Sequence, residues 1–160
     1  MNANIGTAYF SPNQYGRIGG IFYLIIIIAG ISAELFIRGN MIVSNDAAAT
    51  FNNIMASPLK WRIGIAIDIV MHICDIPVMM IWYVLLRPVN RNLALLALLF
   101  VLTQTATLVA TKLNLFTPLF LMGNADYLKS FSQQQIQALS YVAIKADGYG
   151  FGNAWKIIQA

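Results

Sequence analysis

The sequence predicts an all-α fold, a multi-pass bundle of transmembrane helices, and three observations lead there. Of the 160 residues, 59% are hydrophobic and 10% are charged, whereas soluble domains average about 45–50% and 25%. The apolar residues gather in long runs, enough at 1.5 Å per residue to cross a hydrocarbon core of roughly 30 Å. The cations Arg17, Arg38, Lys60, Arg62, Arg87 and Arg91 stand at the ends of those runs, where interfacial cations belong. A single integral membrane domain over residues 1–160 accommodates all of it.

A polar lead ends near Gln14, and the first span is expected over about residues 17–37, around Leu24 and the isoleucines at 25–28. β-Branched residues do not argue for a strand here, because a lone strand cannot satisfy its backbone in lipid. The apolar stretch from Gly19 to Ile37 exceeds the roughly 7–15 residues of a signal-peptide core. An uncleaved first helix is therefore favoured, although Gly30 and Ser32 leave a weak cleavage pattern open.

Arg38, Gly39 and Asn40 are expected to end that helix. Ser44, Asn45 and Asp46 then supply N-cap chemistry for a short helix over about residues 46–56, stopped by Ser57 and Pro58. Phe51, Ile54 and Met55 give it one apolar edge, so it should lie along the interface. A second span is expected over about 60–86, bent at Pro77 by the lost hydrogen bond. The tight turn Arg87-Pro88-Val89-Asn90-Arg91 leads to a third span over about 92–116, ending near Pro118. Gly123 and Asn124 open a polar loop, and Ser132 with Gln135 forms a capping box for a fourth helix over about 132–158. That helix is amphipathic or spanning, and Lys145, Asp147 and three glycines interrupt its apolar side. The short turn with two arginines favours a cytoplasmic N-terminus.

The net charge of +4 would suit a nucleic-acid surface only if the cations were clustered. They are scattered, so the lipid bilayer is the expected partner, with nucleic acid excluded and a homo-oligomer or larger membrane complex open. The single cysteine, Cys74, permits no internal disulfide and reads as a small core residue.

The one histidine, His72, lies on a polar stripe between Asp68 and Asp75, all within about 60° of one another around the helix. Ionisable groups inside a bilayer are costly and usually mark a site. If the three spans alternate direction, Glu34, Asp68 and Lys112 lie at matching depths of about 6–9 Å from one boundary. His72 and Gln104 then fall near the midplane, with Asp75 slightly beyond. Glu34, Asp68, His72, Asp75, Gln104 and Lys112 are thus the candidate intramembrane site, and Thr103, Thr107, Thr111 and Asn114 add a polar edge to helix three. Bland readings stand beside this one. Glu34 can pair locally with Arg38, Lys112 can snorkel, the threonines can bond between helices, and the stripe itself can be a structural network.

One histidine rules out a zinc site needing two or three from this chain. His72 with carboxylates as a metal site, and haem held by His72 and Met79, both lack a supporting motif, so no metal or cofactor is assigned. Ser32 is a nucleophile by type only, for a Ser-His-Asp arrangement. Neither a Walker A nor a Rossmann glycine motif is present.

The segments GRIGGIFYLIIIIAGISAE, DAAATFNNIMAS, WRIGIAIDIV and LLRPVNRNLALLALLF together resemble the bacterial membrane family catalogued as domain of unknown function 4386. The Arg-Ile-x-Gly-x-x-Tyr opening and the Arg-Pro-Val-Asn-Arg turn are its most specific parts. The resemblance implies a small protein of the bacterial inner membrane and brings no established activity, so no site residue is inherited. Members commonly continue with further apolar helices, and the chain is accordingly read as a fragment or a shortened member.

Three functions follow. Proton-coupled transport or sensing would use Asp68, His72 and Asp75, with Lys112 setting the charge balance. An accessory or structural subunit would pack through small-residue faces at Gly19-Gly20 and Ala29-Gly30. An intramembrane enzyme acting on a lipophilic substrate is the least favoured, and no motif supports it.

Overall fold

The computed structural model describes residues 11–123 and 125–159, with side chains through residue 148. Among the described residues it is helical throughout, without strands. Helix α1 spans Pro12–Met41, α2 Ala47–Ala56, α3 Pro58–Leu86, α4 Arg91–Leu121 and α5 Gln133–Gln159. Three of them, α1, α3 and α4, are long and apolar enough to cross a membrane, and the molecule is a membrane protein. Helix α3 is central, flanked by α1 on one side and α4 on the other. Helices α2 and α5 pack on each other across one end of that layer.

Helix α1 starts earlier than the apolar pattern indicates, because Ser11 and Gln14 form a capping box ahead of Pro12. Proline suits a first-turn position, where its missing N–H is not needed. Pro58 does the same for α3. At the other end, Arg38 does not stop α1. Residues Ala33–Arg38 widen into a π turn, the N–H of Gly39 bonding to the carbonyl of Glu34, and the helix continues to Met41.

The caps expected at Asp46 and Ser132 are present, and Asn90 of the tight turn caps α4 as well. Asp46 accepts from the N–H of Ala49 at 2.8 Å, Asn90 from those of Asn92 and Leu93, and Ser132 from that of Gln135, whose side chain returns the bond. Of the expected apolar edge of α2, Phe51 and Ile54 are buried and Met55 is exposed. Helix α4 runs past the expected stop: Leu113–Phe116 tighten to a 3-10 turn, and Pro118 sits in the first turn of the continuation. A second 3-10 turn, Asp126–Ser130, precedes α5 and had no signature in the sequence. Helix α5 itself is unbroken through its glycines.

One core ties all five helices together at the α2–α5 end. Ile37 and Met41 of α1, Ile54 of α2, Trp61 and Ile65 of α3, Leu115 of α4 and Ile144 of α5 meet there. Trp61, 2% exposed, donates from Nε1 to the carbonyl of Leu115 at 2.8 Å, in the stretch where the α-helical pattern is interrupted. Away from this core the spans expose large apolar side chains, among them Ile28, Ile73 and Phe100. In water such faces would aggregate; in lipid they are the expected surface.

Candidate functional site

At Gly64 of α3 the packing against α1 leaves no room for a side chain. A Cβ there would lie 3.0 Å from Cγ2 of Ile37, so only glycine lets the π turn settle without displacement. One helical turn beyond Gly64, on the same face, is Asp68. The close approach and the widened turn together place Arg38 beside it.

Asp68 is 2% exposed and accepts from Nη2 of Arg38. The Nζ of Lys112, from α4, lies 4.0 Å from Oδ2 of Asp68 and 3.0 Å from Oδ2 of Asp147 on α5. Glu34 pairs with Arg38 at 3.5 Å and is largely exposed. Five charged groups from all three long apolar helices and α5 thus line one cavity of about 580 Å³. Glu34, Asp68 and Lys112, expected at one depth, line the same cavity. The structure adds two residues: Arg38, which the sequence grouped with the interfacial cations, and Asp147. The remaining cations of that group, Arg17, Lys60, Arg62, Arg87 and Arg91, are exposed.

The upper part of the stripe separates from this cluster. His72, 5% exposed, is 3.2 Å through Nδ1 from Oδ2 of Asp75. Its Nε2 is buried without a hydrogen-bond partner among the described residues. His72 lines a smaller cavity of about 160 Å³ between α3 and α4, which Lys112 and Thr105 also line. Asp75 lines a third cavity, of about 370 Å³, between α1, α3 and α4. Lys112 therefore borders both the charged cavity and the histidine cavity.

Gln104 is a correction. It is exposed, and its neighbour Thr105 is the residue of that turn that is buried. A level match fixes depth along a helix, not rotation about it, and Gln104 points outward. The threonine edge is likewise turned onto its own helix: Thr103 donates to the carbonyl of Leu99, Thr107 to that of Thr103 and Thr111 to that of Leu108. Ser32 lines a different cavity from His72, among Ile25, Ile28 and Ile63. No group of three His, Cys, Asp or Glu side chains able to hold a metal is found among the described residues.

Cys74 is buried, as its apolar setting implies. Two of the small residues offered as a partner face are used within the chain. A Cβ on Gly19 would meet Ile81 at 3.2 Å, and one on Gly30 would meet Met71 at 3.4 Å. Gly20 has open space beside it.

The motif likeness has its counterpart in a family-model comparison. The model described as Domain of unknown function (DUF4386) matches residues 18–158. The chain belongs to this family. The match takes in every charged residue of the cavity, from Glu34 through Asp147. No curated protein and no solved structure matches the chain. DUF4386 membership assigns no activity, and the chemistry rests on the residues themselves.

Asp147 could have been read from the sequence. Ser140, Ile144 and Asp147 recur at helical spacing and are all buried, so the acid continues the inward face of α5 instead of interrupting it. Nothing comparable announces Arg38. An arginine four residues after a glutamate at the end of an apolar run is the usual pattern of a local pair.

Proposed function

We propose that this chain is a multi-pass protein of the bacterial inner membrane in which the Arg38, Asp68, Lys112 and Asp147 cluster carries proton-coupled transport or sensing. One observation carries the reading: the ammonium of Lys112 stands between carboxylates of two different helices, 3.0 Å from Asp147 and 4.0 Å from Asp68. Charges held away from water in a bilayer persist only when paired. A pairing that can be exchanged gives the helices two arrangements of similar energy.

The exchange needs only a proton. Oδ1 of Asp147 is buried without a partner among the described residues and can accept a proton delivered from the acidic side through the cavity, which removes the charge holding Lys112. Lys112 then moves toward Asp68, whose second cation, Arg38, is loosened toward Glu34. Loss of the proton reverses each step. Helix α5 is thereby released from or drawn to the α3–α4 pair, and such a two-state element is what coupling requires. His72, next to Lys112 across the small cavity, offers Nε2 as the next acceptor, and its Nδ1 leads to Asp75.

The test is proton entry into vesicles containing the purified protein and a trapped pH-sensitive dye, under an imposed pH gradient. Entry above that of empty vesicles, reduced at least tenfold by both Asp68→Asn and His72→Ala, is the expected result. Flux unaffected by both substitutions removes the reading.

A further inference from the structure

The cavity that contains Asp75 is built differently from the charged one. Its walls are apolar side chains of α1, α3 and α4, including Val78 and Leu98, together with the rings of Tyr23, Trp82 and Tyr83. Asp75 is the one charged side chain among its lining residues, with no Lys, Arg or His. Among the described residues, its one hydrogen-bond partner is His72.

A carboxylate facing an apolar cavity in a bilayer is costly unless a proton or a cation neutralises it. Lipid chains filling the space would leave the acid uncompensated. A metal cation would need several oxygen ligands, and this cavity supplies one carboxylate. Aromatic rings beside a carboxylate instead suit a cation whose charge is spread over an apolar body, which gains from both the acid and the ring faces. The volume of about 370 Å³ lies in the range of small-molecule sites. Tyr23 and Trp82 are more than half exposed, so the cavity is open to the apolar surroundings from which such a molecule would arrive.

We propose that this cavity is a binding site for a lipophilic organic cation, held by the Asp75 carboxylate and the rings of Tyr23, Trp82 and Tyr83. The site stands on its own geometry, separate from the Lys112 exchange. Its occupant would be the substrate or signal of the proposed function only if both hold.

Tetraphenylphosphonium is the probe, with tetraphenylborate as its anion of matching shape. Binding is measured by equilibrium dialysis to the full chain in lipid nanodiscs, with empty nanodiscs subtracted. The proposal expects saturable binding of the cation and none of the anion. Affinity should fall at least tenfold in Asp75→Asn and be retained in Asp75→Glu. Leu98→Trp, which keeps the acid and fills the space, should also weaken it severalfold. Equal binding by wild type and Asp75→Asn, equal saturable binding of the anion, or no saturable binding above empty nanodiscs would each overturn the site. Proton flux is read separately with Asp68→Asn, so failure of cation binding does not pass for failure of the exchange.

Discussion

Asp68 and Asp75 sit on the same helix about two turns apart, yet their surroundings have little in common. Asp68 is enclosed where α1, α3, α4 and α5 meet, with Arg38 in contact and Lys112 at 4.0 Å. Asp75 stands where only α1, α3 and α4 remain, half-buried against an open apolar cavity with His72 as its partner. The contrast separates two uses of an intramembrane acid. One is satisfied from within and holds helices together; the other has spare capacity that an outside group can fill.

Removing the acids should expose that difference first. Asp68→Ala leaves Arg38 with Glu34 alone and Lys112 with Asp147 alone, and breaking a buried ion pair costs about 3–5 kcal/mol. A large fall in thermal stability in detergent is expected. Asp75→Ala, by contrast, loses one hydrogen bond and leaves Nδ1 of the buried His72 without its partner, which should cost about 1–3 kcal/mol. Equal losses would erase the distinction.

Gly64 sharpens the same comparison from the backbone side. Gly64→Ala puts a methyl group 3.0 Å from Ile37, and overpacking of this kind costs about 1–3 kcal/mol. Combining it with Ile37→Ala, which removes the Cγ2 methyl that the new Cβ meets, should recover part of that loss in a double-mutant cycle. A smaller effect is expected at Trp61, where Trp61→Phe deletes the bond to Leu115 and should cost about 1–2 kcal/mol. Both substitutions lie at the charged end, and neither should alter cation binding at Asp75.

Much of this fold is legible in the sequence because long apolar runs with terminal cations have few physical solutions in lipid. The caps at Asp46, Asn90 and Ser132 follow from local chemistry alone. The convergence of Glu34, Asp68 and Lys112 was readable because depth along a helix depends only on residue count. Rotation about the axis does not, which is why Gln104 faces outward while Thr105 turns in. Arg38 was hidden for a related reason: a π turn changes the phase of a helix, and every face assigned from a 3.6-residue period shifts beyond it. Asp147 reads as an interruption because it is an acid within an apolar pattern, although its spacing from Ser140 and Ile144 puts it on the inward face of α5.

On the exchange proposed above, the charged cavity is a water-accessible site within the membrane layer, not a sealed structural knot. This is tested by thiol labelling in a Cys74→Ala background, comparing Met71→Cys with Phe100→Cys. Met71 lines the charged cavity, whereas Phe100 is 69% exposed on the outer face of α4. By the rise of a helix, each lies about 14 Å beyond an arginine at the start of its span. A charged, membrane-impermeant thiol reagent should modify Met71→Cys at least tenfold faster than Phe100→Cys in vesicles. Equal, slow modification of both would contradict the account.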